Sequence, residues 1–326
     1  MTTDTATRLI KADADAADIA AACLAAGGLV AFPTETVYGL GADAANGAAV
    51  ARLYVAKGRP SFNPLIAHVP DLAAARRLAL FDAAAERLAA AFWPGPLTLV
   101  LPKAPACPVA ELATAGLDTI AVRAPNSAVA QAILQKFGRA IVAPSANLSG
   151  HVSPTTAAHV LADLGGRIDL IVDGGPTPVG VESTIVACAG APVLLRPGGL
   201  PRDDIERVLG RPLAEPPADL PEAPTAPGML ASHYAPAARL RLDAQDVRPS
   251  EALLAFGPNL PPGAGQAAAV LNLSPMGDLV EAAANLFAHL RALDRPGIAA
   301  IAVMPIPHHG LGEAINDRLA RAAAPR

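Results

Sequence analysis

Short apolar runs alternate with alanine-rich amphipathic stretches along most of the chain. Apolar runs of a few residues predict strands, and apolar positions three and four residues apart predict helices. The strands predicted in the first two thirds are Leu29–Phe32, Leu65–Val69, Leu97–Leu101, Ile120–Arg123, Ile141–Ala143, Leu170–Val172, Ser183–Ala187 and Val193–Arg196. The helices predicted there are Asp15–Ala26, Ala48–Ala56, Leu72–Leu78, Asp82–Phe92, Ser127–Lys136, Thr155–Leu164 and Asp203–Leu209. This mixture predicts an α/β domain with a mixed sheet.

A proline-rich stretch follows this region. Residues 210–228, GRPLAEPPADLPEAPTAPG, contain six prolines and show no hydrophobic periodicity, which is typical of an extended, semi-rigid linker. The elements predicted after it are strands Ala252–Phe256, Ala268–Leu271 and Ile298–Val303 and helices Asp278–Leu293 and Gly312–Ala323. We therefore expect a large α/β domain over residues 1–209, a linker over 210–244 and a small, mostly parallel α/β domain over 245–326.

The composition is that of a globular protein with a sizeable core, since 52% of the 326 residues are hydrophobic and 17% are charged. The net charge of −4 argues against non-specific nucleic-acid binding, which needs a basic excess, although it leaves room for a local basic groove. Cys23, Cys107 and Cys188 are odd in number and far apart, which favours reduced thiols over disulfides or a zinc site. The first residues show no signal core, and no apolar run reaches the roughly 20 residues of a membrane span, so we expect a soluble cytoplasmic protein.

The best-known phosphate-binding patterns are missing. The sequence has no G-x-x-x-x-G-K-[ST] and no G-x-G-x-x-G after a strand. His-Glu-x-x-His and Gly-x-Ser-x-Gly are also absent, which argues against zinc-protease and hydrolase-elbow chemistry. A nucleotide, if one binds, must be held in another way.

Polar side chains instead follow the predicted strands. In 32-FPTETVYGLG-41, Thr34, Glu35 and Thr36 come directly after a strand, at the strand end where α/β proteins bind ligands. Gly39 and Gly41 allow another backbone to approach closely. A simple polar turn explains this stretch equally well.

Two cations, an amide and an imidazole crowd into 57-KGRPSFNPLIAH-68. Lys57 and Arg59 alone are typical of a solvated surface pair. Asn63 and Pro64, before an apolar run, predict a rigid turn that would hold the amide and both cations at one edge. His68 is either a hydrogen-bonded core histidine or a ligand contact.

Arg123 ends the apolar strand of 119-TIAVRAP-125. A buried guanidinium needs a protein carboxylate, or a carboxylate or phosphate ligand, which arginine binds in a bidentate manner. In 143-APSANLSG-150 and the residues after it, Ser145, Asn147, Ser149 and Ser153 supply hydroxyl and amide groups. Helix capping accounts for one or two of these four.

Two further loops extend the pattern. Glu182, Ser183 and Thr184 begin a strand in 180-GVESTIV-186, and Arg196 ends another in 194-LLRPGG-199. These stretches together offer arginines, hydroxyls and amides with few carboxylates. Such a charge balance suits a small polyanion such as a nucleotide.

These motifs together resemble a known family. FPTETVYGLG, KGRP-x-x-NPL-x-x-H, FWPGPLT, TIAVRAP, APSANLSG, GVESTIV and LLRPG occur in order over residues 20–200 and resemble the YrdC-type threonylcarbamoyl-AMP synthases. APGMLASHYAP (226–236) and PIPHHGLGEAINDRLARAA (305–323) resemble the linker and C-terminal domain of the family's two-domain form. The resemblance implies an α+β-like mixed, twisted sheet in a YrdC-like catalytic domain (1–209), a linker (210–244) that contacts the active site, and a Rossmann-like C-terminal domain (245–326). Only the first dozen residues and 210–225 lack a counterpart.

The resemblance also implies a reaction, in which L-threonine, bicarbonate or carbon dioxide, and ATP with Mg²⁺ form L-threonylcarbamoyl-AMP and pyrophosphate. A separate tRNA threonylcarbamoyl transferase would then use this product at adenosine 37 of tRNAs that read ANN codons. The threonine-binding residues implied are Thr34, His68, Arg123, Ala143 and Ser183. The ATP-binding residues implied are Lys57, Arg59, Asn63, Thr119, Ser145, Asn147, Ser153, Arg196 and Tyr234, with Lys57 and Arg59 also catalytic by charge neutralisation. No protein ligand to a metal is implied.

Two other functions compete with this one. The first is a carbamoyl-adenylate-forming maturation factor for hydrogenases, which resembles this chain in the first domain and carries zinc-finger-like and acylphosphatase-like segments not seen here. The second is an RNA-binding module that acts on tRNA or ribosomal RNA. The −4 charge and the 3% aromatic content argue against the second, because such modules use basic grooves and stacking aromatics.

Overall fold

The computed structural model describes residues 6–215 and 234–325. Within these ranges, one sheet has ten strands and a second has four. The strands of the first sheet are β1 (Arg8–Lys11), β2 (Val30–Pro33), β3 (Tyr38–Asp43), β4 (Ile66–His68), β5 (Leu97–Pro102), β6 (Thr119–Arg123), β7 (Ile141–Val142), β8 (Leu170–Asp173), β9 (Thr184–Ala187) and β10 (Val193–Arg196). The accompanying helices are α1 (Ala16–Ala25), α2 (Gly47–Lys57), α3 (Leu72–Ala75), α4 (Ala83–Phe92), α5 (Ala128–Phe137), α6 (Ala157–Leu164) and α7 (Arg202–Leu209).

The first sheet is mixed, as the sequence predicts. Its strands lie in the order β1-β8-β2-β3-β7-β4-β6-β5-β9-β10. β4 pairs with β6 in parallel, and β5 pairs with β6 in antiparallel orientation. The α/β class with a mixed sheet is therefore confirmed.

The side chains of β2 and of Leu29 just before it are buried on alternate faces of this sheet. Val30 and Phe32 lie in an apolar cluster with α1 and α5. Leu29 and Ala31 lie in a different cluster, with α2 and α6. A strand with apolar residues at successive positions is buried on both faces, because neighbouring side chains point in opposite directions.

Two strands of the first sheet are missing from the prediction. The β3 segment was predicted as a glycine-containing loop, but it forms a hairpin with β2 in which Val30 pairs with Gly41. A Cβ atom at Gly41 would lie 2.7 Å from Phe32 Cε1 and 3.0 Å from Ile141 Cγ2, so the strand needs glycine there. Tertiary pairing overrides the low strand propensity of glycine. The β1 strand is polar and pairs only along β8 at the sheet edge.

The C-terminal domain is a small parallel α/β unit, as predicted. Its strands are β11 (Arg239–Arg241), β12 (Glu251–Ala255), β13 (Val270–Asn272) and β14 (Ala300–Val303), and its helices are α8 (Leu279–Leu293) and α9 (Leu311–Ala323). The strands lie in the order β11-β14-β12-β13, with every pair parallel.

The predicted linker range 210–244 needs correction. β11 lies inside that range, yet it pairs with β14, with Arg239 opposite Ala300. The second domain therefore begins before residue 245. Hydrophobic periodicity misses a strand of three residues, two of which are arginines. Residues 216–233 of the proline-rich stretch lie outside the described residues.

Two other sequence-based expectations concern thiols and membranes. The three cysteines, Cys23, Cys107 and Cys188, are free, as predicted. No helix in the described parts of the chain combines the length and the apolar character needed to cross a bilayer.

Candidate active site

A small cavity of about 50 Å³ lies where the polar loops of the first sheet meet the segment that begins the second domain. The residues that line it are Thr36, Val37, Arg59, Ile66, His68, Arg123, Ala143, Pro144, Ser145, Glu182, Ser183, Arg196 and Tyr234. Except for Tyr234, they come from the six polar stretches between residues 32 and 199 that the sequence singles out. A larger cavity of about 950 Å³, between Ala44, Leu78 and Arg139, contains none of the predicted site residues, so the chemistry points to the smaller one.

Lys57 connects two of these loops from beneath the cavity. It ends α2, and Gly58 follows in a left-handed conformation with φ 59°, which ends the helix. The Lys57 ammonium is buried and donates to the carbonyl oxygens of Ser145 and Asn147, both at 2.5 Å. Burial, and then neighbouring Arg59, lower the pKa of Lys57 well below its usual range. The alternative of a solvated surface pair is therefore wrong.

The turn that follows Arg59 orients its side chain. Its guanidinium donates from Nη2 to the carbonyl oxygen of Pro64 at 3.0 Å and from Nε to that of Asn63 at 3.3 Å. Burial lowers the pKa of Arg59 to about 10, so the side chain remains a cation at neutral pH. The rigid turn predicted from Asn63 and Pro64 holds this cation in the cavity wall.

Arg123 lines the cavity and also pairs with a carboxylate of the protein. Its Nη2 lies 2.7 Å from Oε1 of buried Glu35, and its Nη1 donates to Thr36 Oγ1 at 3.0 Å. Nε donates to the carbonyl oxygen of Gly95 at 3.2 Å. Of the two partners that the sequence left open, the structure supplies the carboxylate. A ligand anion would meet an arginine whose orientation is already determined.

His68 lies beside Arg123 on paired parallel strands. Its side chain is buried, and Nδ1 lies 3.2 Å from the carbonyl oxygen of Ile66. Burial, and then the positive charge of Arg123, lower the pKa of His68 from 6.5 to about 3. The imidazole is therefore neutral at physiological pH, and it can exchange hydrogen bonds with a ligand but not supply a positive charge.

We expect the His68 imidazole to stay neutral from pH 5 to pH 9 in the folded protein. Since its folded pKa of about 3 lies below its usual 6.5, the unfolded chain binds the proton more readily, and stability falls as the pH drops from 6.5 towards 3. NMR titration of the ring resonances measures the pKa. The matched variant His68→Asn should lose this part of the pH dependence of melting. An imidazole that titrates near 6.5 in the folded protein would contradict the prediction.

Ser183 and Arg196 form a third part of the wall. Arg196 Nη2 donates to the carbonyl oxygen of Ser183 at 2.8 Å, and the Ser183 hydroxyl lies 2.7 Å from the Thr98 hydroxyl. Ala143 and Ser145, from the loop held by Lys57, also line the cavity.

Several predicted residues do not line the cavity. They are Thr34, Lys57, Asn63, Thr119, Asn147 and Ser153. The Thr34 hydroxyl bonds within its own turn, to Thr36 and the carbonyl oxygen of Val37, and the Ser153 hydroxyl donates to Glu182 at 2.5 Å. Thr119 begins β6, the strand that Arg123 ends, and is thus at its far end.

The sequence did not assign two polar residues of the lining to the site. Thr36 and Glu182 stand in motifs that it singled out, but only the neighbours Thr34 and Ser183 were assigned to the site. Side chains two residues apart in an extended segment point to the same side, so the assignment of Thr34 to the site could have been extended to Thr36. Nothing local indicates that Glu182 faces inward.

The charge in the wall is predominantly positive. Arg59, Arg123 and Arg196 contribute three guanidiniums against the single lining carboxylate of Glu182. Buried cations in excess favour an anionic ligand, because they attract it in a region of low dielectric.

The described residues contain no group of three or more His, Cys, Asp or Glu side chains that could hold a metal ion. His308 and His309, which are adjacent in sequence, are exposed.

Two family models match the sequence. The Sua5/YciO/YrdC model, described as telomere recombination, matches residues 22–198. A model described as the C-terminal domain of threonylcarbamoyl-AMP synthase matches residues 200–324. The two domains predicted from the motifs thus correspond to two known modules.

Curated relatives and a solved structure match over nearly the full length. The chain is 44% identical over 324 residues to the threonylcarbamoyl-AMP synthase of Pyrococcus abyssi, covering 94% of each chain. It is 43% identical over 321 residues to that of Bacillus subtilis, covering 94% of this chain and 92% of the relative. The crystal structure of P. abyssi Sua5 complexed with L-threonine matches with a TM-score of 0.88 and 40% identity over 98% of each chain. The chain therefore belongs to the two-domain, YrdC-type family of threonylcarbamoyl-AMP synthases.

Proposed function

We propose that this protein joins L-threonine, bicarbonate or carbon dioxide, and ATP into L-threonylcarbamoyl-AMP, with release of pyrophosphate. The observation that carries the proposal is that Arg59, Arg123 and Ser183 border one cavity. These residues come from three separate motifs, and the relative solved with L-threonine has the same fold. The alternative of an RNA-binding module has no comparable support.

The proposed binding roles divide the cavity in two. We assign Thr34, His68, Arg123, Ala143 and Ser183 to threonine, with Arg123 on the carboxylate. We assign Lys57, Arg59, Asn63, Thr119, Ser145, Asn147, Ser153, Arg196 and Tyr234 to ATP. The contacts support this division, because neutral His68 and Arg123 are neighbours, whereas Lys57 and Arg59 lie together at the end of α2.

The proposed chemistry needs no protein nucleophile. The threonine amine adds to carbon dioxide and loses a proton to water, which gives a carbamate, and a carbamate oxygen attacks the α-phosphorus of ATP. The bond from that phosphorus to the bridging oxygen breaks, and pyrophosphate leaves with the electron pair. Arg59 and Arg196 would orient the triphosphate and offset its charge, and Lys57 would hold the loop of Ser145 beside it.

Magnesium would enter as its ATP complex. Glu182, the carboxylate in the cavity wall, already bonds to Ser153 and Arg318, so the lining does not form a magnesium cage by itself. Mg²⁺ is commonly held by substrate phosphates and water with few protein ligands, and its contribution is to neutralise phosphate charge.

Tyr234 closes the site in this structure. Its side chain is only 1% exposed and lines a cavity of about 50 Å³, whereas pockets that hold drug-sized ligands measure roughly 300–1,000 Å³. We therefore propose that the Tyr234 side chain moves aside for ATP and closes again to exclude water.

The product would leave for a tRNA threonylcarbamoyl transferase, which modifies adenosine 37 of ANN-decoding tRNAs. The product is a mixed anhydride of a carbamate and AMP, which makes it an activated donor of the threonylcarbamoyl group. The net charge of −4 argues against a basic surface that would bind tRNA directly. We accordingly propose a cytoplasmic location and no tight direct binding of nucleic acid.

The decisive experiment incubates the purified protein with labelled threonine, bicarbonate and ATP–Mg²⁺. We expect an adenylate that contains threonine and one equivalent of pyrophosphate, both dependent on bicarbonate. The control omits threonine and should yield neither. Pyrophosphate without a threonine-containing adenylate would contradict the proposal, and so would tight, salt-sensitive tRNA binding in a gel shift with no adenylate formed.

A further inference from the structure

The C-terminal domain delivers a charged side chain to the wall of the cavity in the first domain. Arg318 lies on α9 and is fully buried. Its Nε donates to Oε2 of Glu182 at 2.8 Å, and the Ser153 hydroxyl donates to Oε1 at 2.5 Å. Both oxygens of the carboxylate that lines the cavity are thus bonded.

The same arginine contacts the aromatic residue that closes the cavity. Arg318 Cζ lies 5.2 Å from the centre of the Tyr234 ring, within the range of a cation–π contact. The Tyr234 ring also stacks on that of Phe287 of α8, at 5.6 Å between ring centres and 22° between planes. Two residues of the second domain therefore fix Tyr234.

The loop that carries Glu182 is packed against the second domain from behind. Gly180 has φ 77°, and a Cβ atom there would lie 2.3 Å from the carbonyl oxygen of Ala283. Val181 is fully buried in the apolar cluster of the C-terminal domain. The backbone just before Ser183 therefore depends on the docking of α8, while Ser183 itself faces the cavity.

The charge of Glu182 needs a partner that is not a substrate-binding arginine. Burial by itself raises the pKa of Glu182, but Arg318, Arg196 and the Ser153 bond more than offset it, so the pKa is lowered. The ionised carboxylate stands in the same wall as Arg59 and Arg196. Without Arg318, its charge would act on Arg196 and on any phosphate bound nearby.

We propose that Arg318 is a positioning residue of the active site, which neutralises Glu182 and packs on Tyr234 so that Arg196 serves the anionic substrate. The inference rests on the proposed function, since it takes that substrate to be ATP. On this proposal, ATP binding requires that the C-terminal domain is docked. The domain then does more than cover the site.

Arg318→Met in the full-length protein tests this proposal. We expect the KM for ATP to rise at least about tenfold, because an unneutralised carboxylate repels phosphate, while the KM for threonine changes less than about threefold. Combining the change with Glu182→Gln removes the charge, so the KM for ATP should return to within about threefold of wild type. A loss of packing alone would not be rescued in this way. Arg295→Met serves as the control, because this exposed arginine lies just after α8 and donates to the carbonyl oxygen of Ala292.

Several outcomes would overturn the inference. They are a KM for ATP within twofold of wild type, a parallel loss of both affinities, or a double variant no better than the single one. If Arg318→Met does not fold, Glu182→Gln is compared with the double variant. Equal ATP affinities support the proposal, and a tenfold difference refutes it. Calorimetry with a non-hydrolysable ATP analogue and Mg²⁺ measures these affinities directly, so a wild type that makes no adenylate would refute the proposed function separately.

Discussion

Arg123→Ala raises the KM for threonine about 100-fold or more, while the Kd for ATP changes by less than about threefold. Arg123 is the cavity arginine next to neutral His68, and its guanidinium is oriented by Glu35, Thr36 and the carbonyl oxygen of Gly95. A carboxylate ligand would thus meet a pre-aligned donor, and removing that donor sacrifices two charge-assisted hydrogen bonds. Steady-state kinetics with each substrate varied in turn measures the effect.

The control must separate the loss of threonine binding from the effect of leaving the Glu35 carboxylate without Arg123. Glu35 is buried, and an unpaired buried charge costs about 3–5 kcal/mol of stability. The double variant Glu35→Gln/Arg123→Ala removes that charge, so its melting temperature should recover while the KM for threonine stays high. Equal losses of threonine and ATP affinity in the double variant would count against assigning Arg123 to threonine.

Lys57→Met lowers kcat by about 100-fold or more, since a displacement of about 1 Å in a substrate-positioning group has that effect. Methionine has a similar volume, but it cannot donate to the carbonyl oxygens of Ser145 and Asn147. The loop that lines the cavity at Ser145 would lose these two hydrogen bonds. Rapid-quench or steady-state assays of adenylate formation measure the change.

Lys136→Met is the matched control for this variant. Lys136 is another lysine in the last turn of a helix, but its side chain is 54% exposed and pairs with Asp18 on the surface. Exposed ion pairs contribute little, roughly 0–1 kcal/mol, so kcat should stay within about twofold of wild type. An unchanged kcat in Lys57→Met, with the protein folded, would show that this lysine has no part in turnover.

Much of the fold could be predicted because its signals are local. The β6 strand is observed one residue longer than Ile120–Arg123, and α8 begins just after Asp278, which caps the helix. Buried apolar runs and N-terminal caps act over a few residues, so a single sequence contains them. β3 and β11 were missed because glycine and arginine weaken the strand pattern, and their stability comes from distant partners.

The candidate site also has a part that the sequence predicted and a part that it did not. The motifs identified Arg59, Arg123, Ser145, Ser183 and Arg196, and all five line the cavity. They did not indicate the pairing of Arg123 with Glu35, or the contact of Arg318 with Glu182. Ion-pair partners are chosen by long-range packing, which leaves no periodic trace in the sequence.

The sequence by itself determined which chemical groups this protein holds at its strand ends, since strands, turns and caps follow from neighbouring residues. Only the tertiary structure decided that Lys57 is buried beneath the cavity, that His68 is neutral, and that an arginine of the second domain neutralises Glu182. Burial and charge pairing depend on which distant surfaces come together. For the pair of Arg318 and Glu182, those surfaces meet only when both domains are folded and docked.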